Sequence, residues 1–383
     1  MIPPLTQLIQ QLIATPSISS TAPALDQSNE GVIHLLANWL RELAFEVEIS
    51  PVAEHKWNLV ATLGSGPGGL VFSGHTDTVP FDQQRWSQDP FQLTEKNQRL
   101  YGLGTSDMKA FFAFALEAVK PYAAKDFKAP LILVATADEE TTMAGAKALV
   151  AHGGLNARHA VIGEPTNLKP IRLHKGIMME KIHLRGQSGH SSNPALGHNA
   201  IEGMALILAA LHTWRTQLRQ RYHNDLFSIP YPTLNFGHIH GGDNPNRICA
   251  DCELHIDLRP LPGMPLDELR EALRQQLHQA TVDSPYHVTT TTLFDGIPAM
   301  ETAASTDIVQ CAERLTGYPA SAVSFGTEAP FFNQMGMDTI ILGPGSIDLA
   351  HQPDEYLDMA QMTPTLGLLR QLIERFCLSG PAA

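Results

Sequence analysis

The sequence predicts an α/β protein: a mixed, largely parallel sheet sandwiched by helices, interrupted by an inserted α+β unit of the ferredoxin-like kind. Three observations carry this reading. Short apolar runs at 70–72, 131–135, 160–162 and 339–342 alternate with stretches of helical spacing, the pattern of parallel strands buried on both faces. Between about residues 176 and 293 the rhythm changes to strand, helix, strand, strand, helix, strand. Polar residues gather just after the apolar runs, where open α/β sheets form ligand sites.

The elements follow in order. Residues 4–15 and roughly 28–44 carry helical spacing; in the second, Val32, Leu35, Leu36, Trp39, Leu40 and Leu43 form one apolar stripe. Residues 45–49 and 58–63 read as strands, and Gly64-Ser65-Gly66-Pro67-Gly68-Gly69 as a tight turn joining two arms of a hairpin. The strand that follows ends in Gly74-His75-Thr76-Asp77-Thr78-Val79-Pro80. Residues two apart in extended chain point the same way, so His75 and Asp77 can share one cavity. Next, Gly104-Thr105-Ser106-Asp107-Met108-Lys109 opens a helix over 110–119, with Asp107 where an N-cap belongs. The Gly-x-Gly at 102–104 lacks the third glycine of a dinucleotide fingerprint. The run at 131–135 ends in Asp138-Glu139-Glu140, a helix covers 144–150, the run at 160–162 ends in Gly163-Glu164-Pro165, and 339–342 leads to His351.

The inserted unit is expected to comprise a strand at 178–185, a helix at 200–221, strands at 233–239 and 248–258, a helix at 266–280 and a strand at 286–293. With crossings near Lys175 and Gly296, the large domain takes 1–175 and 296–383, and the inserted domain 176–295.

Composition narrows the function. A net charge of −13 argues against nucleic-acid or anionic-membrane partners, and no apolar run reaches membrane-spanning length. The N-terminal stretch has no basic region followed by an apolar core, so no secretory signal is expected. The close pair Cys249 and Cys252 has no partner pair for a zinc ribbon, and Cys252 is in phase with Leu254, Ile256 and Leu258. The cysteines therefore read as packing thiols of a reducing cytoplasm.

His75, Asp107, Glu140, Glu164 and His351 all follow apolar strands or open a helix, so they can converge on one rim. Two imidazoles and three carboxylates suit Zn²⁺ or a similar ion, and one carboxylate can bridge two ions. Adjacent carboxylates at Glu139-Glu140 repel, which calls for a cation nearby. If Glu140 binds metal, Glu139 is left free as a general base. On residues alone His190, in Gly186-Gln187-Ser188-Gly189-His190-Ser191-Ser192, reads as an ordinary loop histidine. Asn246 and Arg259 are equally candidate carboxylate binders and surface positions.

These segments resemble the dinuclear metallo-aminoacylase and peptidase family, essentially end to end and with no ligand missing. The motifs are Gly74–Pro80, Gly104–Lys109, Asp138-Glu139-Glu140 and Gly163-Glu164-Pro165 as quoted above. Supporting segments are Ala22–Asn29, Gly237–Asp243, Phe325–Phe331, Leu342–Ser346 and Ala350–Glu355. They most resemble the branch that deacetylates N2-acetyl-L-ornithine in arginine biosynthesis; a broader N-acyl-amino-acid hydrolase or a desuccinylase is the alternative.

The resemblance implies two divalent ions, Zn²⁺ with Co²⁺ able to substitute. His75 and Glu164 would hold one, Glu140 and His351 the other, with Asp107 bridging and Asp77 orienting His75. Glu139 would be the general base and acid. The inserted domain would mediate a homodimer, His190 and Asn246 entering the partner's site. Arg259 would grip the substrate α-carboxylate and Thr327 would lie near the substrate. Glu328 is assigned to the ornithine amine on charge alone. A non-catalytic relative would lack a metal ligand, and the absent phosphate-loop motif argues against nucleotide binding.

Overall fold

The apolar runs assemble side by side. In the computed structural model, which describes residues 2–379, the strands Leu131–Thr136, Leu70–His75, His159–Pro165 and Asp338–Gly343 are parallel and adjacent in that order. The first three are buried along their whole length, which is why their sequences are continuously apolar instead of alternating. Helix Lys109–Val119, buried at every residue but Glu117, lies against the strands. Helices Leu5–Ile13, Glu30–Glu42 and Met362–Ile373 add their apolar stripes to the same core.

One expectation fails. Residues 64–69 do not join hairpin arms. Strand Lys56–Leu63 pairs antiparallel with Glu46–Ala53 on one side and with Leu131–Thr136 on the other. Leu131–Thr136 therefore separates it from Leu70–His75, and the glycine-rich segment steps across the end of that intervening strand. Closeness of backbone explains the glycines: a Cβ on Gly66, which has φ +121°, would stand 2.5 Å from the Lys128 carbonyl oxygen. The true hairpin is Glu46–Ala53 with Lys56–Leu63.

The chain divides into two compact units. One holds the described residues up to Arg172, then Thr302–Ser321 and those from Thr327; the other holds Leu173–Glu301 and Ala322–Gly326. The short piece at Ala322–Gly326 lies outside the span read from the sequence as inserted.

Within the second unit, strands Thr233–Gly241, Asp251–Arg259, Ile177–Arg185 and His287–Ile297 form an antiparallel sheet in that order. Helices Ala200–Arg221 and Leu266–Thr281 cover one face, packing Met204, Ile207, Leu211, Leu269 and Leu273 on Ile182, Leu184, Leu254, Ile256 and Leu258. Element order and alternation match the ferredoxin-like expectation. Cys252 is buried in that layer, and all four cysteines are free and buried. No helix among the described residues is long and apolar enough to cross a membrane.

The helix above the sheet rests directly on backbone. A Cβ on Gly163 would stand 2.2 Å from the Phe111 ring. Gly163→Ala is expected to lower stability by about 1–3 kcal/mol through overpacking. Gly367, inside helix Met362–Ile373, has nothing within 4 Å of its Cβ direction, and Gly367→Ala is expected to raise stability by about 0.5–1 kcal/mol. Thermal denaturation decides, and equal midpoints for the two variants would show that the Phe111 contact is slack.

Candidate metal centre

The parallel strands deliver their carboxyl ends to one place. His75 is the last residue of its strand, Glu164 the next-to-last of His159–Pro165, and Glu139 and Glu140 follow Leu131–Thr136 by three and four positions. His351 follows Asp338–Gly343 by way of a short helical turn, Ile347–Leu349. All belong to the first unit.

His75 is almost wholly buried. Its Nδ1 lies 2.9 Å from the Asp77 carbonyl oxygen, which can only accept, so Nδ1 carries the hydrogen and Nε2 presents its lone pair when the ring is neutral. Nε2 faces Asp107 Oδ1 at 3.1 Å and Glu164 Oε1 at 3.8 Å. The other oxygen of Asp107, Oδ2, lies 3.4 Å from His351 Nε2. That same nitrogen is 3.1 Å from Glu140. Asp107 thus stands between two imidazoles, one oxygen to each. It caps no helix: the residue preceding Lys109–Val119 is Met108, with no side-chain cap.

Asp77 works through both its polar groups. Its carbonyl orients His75. Its carboxylate, 3.7 Å from the ring, accepts the backbone N–H groups of Glu139 at 3.3 Å and Glu140 at 3.0 Å, fixing the acidic turn. Asp138 in that turn and His351 opposite both hold left-handed backbone, φ +56° and +60°. Non-glycine residues take that conformation when their surroundings over-determine it.

The electrostatics call for cations. Burial, helped by neighbouring carboxylates, holds Glu139 and Glu164 well above the usual carboxylate range. His351 is pushed up to about 10 by its hydrogen bonds to Asp107 and Glu140. Burial lowers His75, but Asp107, Glu164 and Asp77 outweigh it and leave the imidazole well above its ordinary value. The imidazoles thus hold protons against carboxylates in the positions where a metal ion would sit. The ligand atoms of His75, Asp107 and Glu140, and those of His75, Glu139 and Glu164, lie within 4.8 Å of one another. Imidazole and carboxylate donors in this number fit divalent ions of the Zn²⁺ class.

The remaining expected residues are placed as follows. Thr327 and Glu328 are fully buried. Thr327 Oγ1 accepts the Ala329 N–H at 3.1 Å, at the start of helix Ala329–Gln334. Burial pushes the Glu328 carboxyl up to about 7, opposed by the side chains of Thr136 and Ser73 and by His75. Charge alone suggested an amine partner for Glu328; the structure places it fully buried, one residue before helix Ala329–Gln334. His190, Asn246 and Arg259 belong to the second unit. His190 is exposed, and the Ser191 N–H donates to the Asn246 carbonyl oxygen at 3.1 Å, so the two lie together. Arg259 forks onto its near neighbour Asp257, with Nε at 2.8 Å and Nη2 at 3.0 Å.

Sequence reasoning gave Glu355 no role, and the structure gives it one. Its buried carboxylate accepts three backbone N–H groups, from Gly104 at 3.1 Å, Ser106 at 2.6 Å and Asp107 at 2.9 Å. It holds the loop that presents Asp107. The available signal was a second acidic residue four positions after His351, in a segment with no apolar pattern of its own.

A family model, peptidase family M20/M25/M40, matches residues 71–375. The chain is 52% identical to an acetylornithine deacetylase of Proteus mirabilis over 383 residues, covering all of this chain and 99% of that one. Among solved structures it is similar to the aminopeptidase PepT of Bacillus cereus, with TM-score 0.76, 20% identity and 97% of each chain covered. It is likewise similar to the YXEP protein of Bacillus subtilis, described as a dinuclear metal binding peptidase, with TM-score 0.69, 15% identity and 97% and 98% coverage. At those identities the two structures show the fold.

Burial and the nearby Asp107 push the Glu355 carboxyl up to about 8, so Glu355→Gln keeps the shape and acts mainly by replacing one acceptor oxygen with an NH₂ donor. It is expected to weaken metal binding by about 10–100-fold, the usual effect of losing a group that orients a ligand. Competition against a chelator measures this; unchanged affinity would show that the Asp107 loop holds itself.

Proposed function

The chain belongs to peptidase family M20/M25/M40, and from that premise we propose that it hydrolyses the acetamide of N2-acetyl-L-ornithine to L-ornithine and acetate. The observation that carries the reading is full-length 52% identity to a curated acetylornithine deacetylase. The convergence of all five expected metal donors supports it.

In this reading His75 and Glu164 hold one divalent ion, Glu140 and His351 a second, and Asp107 both. The ions are Zn²⁺, with Co²⁺ able to substitute. When bound they polarise the acetamide carbonyl and bring the attacking water within reach of deprotonation near neutral pH. The chain's own residues move the proton. Glu139 takes one hydrogen of the water on a carboxylate oxygen as the water oxygen bonds to the carbonyl carbon. It returns that proton to the ornithine nitrogen as the carbon–nitrogen bond breaks. Asp77 keeps the His75 ring in place through its carbonyl and keeps Glu139 in place through its carboxylate.

We further assign His190 and Asn246 to the site of the partner in a homodimer, with His190 donating to the developing oxyanion. Arg259 is assigned to the substrate α-carboxylate, which must share it with Asp257. The free, buried cysteines suit the cytoplasm, where arginine biosynthesis would place the enzyme.

Glu139→Gln is expected to retain its metal and lose about 10²–10⁴ in turnover, the ordinary worth of a positioned base. Metal analysis beside acetylornithine hydrolysis decides it, and wild-type turnover would remove Glu139 from the chemistry. A second measurement addresses the substrate. kcat/KM should be highest for N2-acetyl-L-ornithine among that compound, N-acetyl-L-methionine and N-succinyl-diaminopimelate. A clear preference for either of the others would overturn the substrate assignment and leave the metal centre standing.

A further inference from the structure

The second unit carries a cluster that the reaction above does not use, on the open face of its four-stranded sheet. Along Asp251–Arg259 the pleat sends Cys252, Leu254, Ile256 and Leu258 inward, all buried, and Glu253, His255 and Asp257 outward. On the neighbouring strand, Thr233–Gly241, a regular alternation continued from Leu234 and Phe236 would send His238 and His240 inward as well. A bulge prevents this. Phe236 pairs with Ile256, yet His238 pairs with His255, so Gly237 is one extra residue. An inserted residue exchanges the two faces. It sets His238 opposite His255 and His240 opposite Glu253, all facing out. On the far side of Glu253 the register places His183, which is 3.1 Å from Asp251.

The Nε2 atoms of His238 and His255 each lie 3.5 Å from the same oxygen of Glu253, Oε1. At that length neither contact is a good hydrogen bond. His255 Nε2 is shielded from solvent and has no hydrogen-bond partner among the described residues. The ring centroids are 4.6 Å apart, and the three candidate ligand atoms fall within 4.8 Å of one another. Donors about 2.0–2.1 Å from a tetrahedral zinc ion stand about 3.3 Å apart, so little adjustment is required. Lys181, opposite His255 in the register, is a positive neighbour the ion must tolerate.

We propose that His238, Glu253 and His255 form a further metal site for a divalent transition ion of the Zn²⁺ class. Two imidazoles and one carboxylate select such ions over Mg²⁺ or Ca²⁺, which prefer all-oxygen sets. The half-exposed position leaves the fourth ligand place open to water. The site is independent of the metal centre in its residues.

Equilibrium dialysis of chelated protein against Zn²⁺, with bound metal counted per chain, tests it. Wild type is expected to bind one equivalent more than the His238→Ala/His255→Ala variant, while acetylornithine hydrolysis is unchanged. Glu253→Gln, which keeps the side-chain shape, is expected to lose the same equivalent, and guards against misfolding of the double variant. In a His75→Ala background, whatever metal that change removes from the main centre, adding His238→Ala/His255→Ala is expected to lower the count by one equivalent again, which separates the two sites. Equal metal content in wild type and both cluster variants would overturn the proposal, as would equal content in His75→Ala with and without the His238→Ala/His255→Ala changes.

Discussion

Much of the first unit answers to one constraint: acidic groups are packed where burial opposes their charge. Asp77, Asp107, Glu164 and Glu328 are buried at the carboxyl end of the parallel strands, with Glu139 and Glu140 beside them. No apolar rearrangement relieves that tension, because the strands that carry Glu164 and lead into Asp77, Glu139 and Glu140 are buried from end to end. Either the carboxyls take up protons or cations come to them. Divalent ions would resolve it, and would bind the ends of separate strands into one site.

A site of this kind tolerates little play. The strand bearing Glu164 is set by Phe111 lying on Gly163, where even a methyl group does not fit. The acidic turn is set by the Asp77 carboxylate and Asp107 by the Glu355 nest. The positions of Glu164, Glu140 and Asp107 therefore depend on neighbours outside the cluster. Fold stability and metal geometry rest on the same contacts.

Most of this was legible in the sequence because the fold puts chemistry at strand ends. An apolar run marks a buried strand, and a polar residue following it marks the rim, so His75, Glu140 and Glu164 could be read without coordinates. The inserted unit was legible for a related reason: its strands are covered on one face, so Cys252, Leu254, Ile256 and Leu258 alternate visibly. What was not legible depends on partners remote in the chain. The turn at 64–69 reads as a hairpin until Leu131–Thr136 is placed between its arms. Nothing local distinguishes Arg259 with a ligand from Arg259 with Asp257. The bulge at Gly237 leaves no mark beyond a glycine, yet it decides which way two histidines face.

The carboxylates show best why residue type alone could not assign roles. Asp77, Asp107, Glu140, Glu164 and Glu355 are chemically alike, and all sit near strand ends or in the loops between them. The structure sorts them by what they accept. Asp77 and Glu355 take the backbone N–H groups of the two loops, two for the first and three for the second. Asp107, Glu140 and Glu164 face imidazoles. The division has a physical reason. A loop N–H bonded to Asp107 would compete for the lone pairs that its carboxylate turns toward the two imidazoles. By giving those N–H groups to Glu355, the fold satisfies the loop backbone and leaves both oxygens of Asp107 turned toward His75 and His351. The carboxylates that bond to the loop backbone are thus what leave the others free to face the imidazoles.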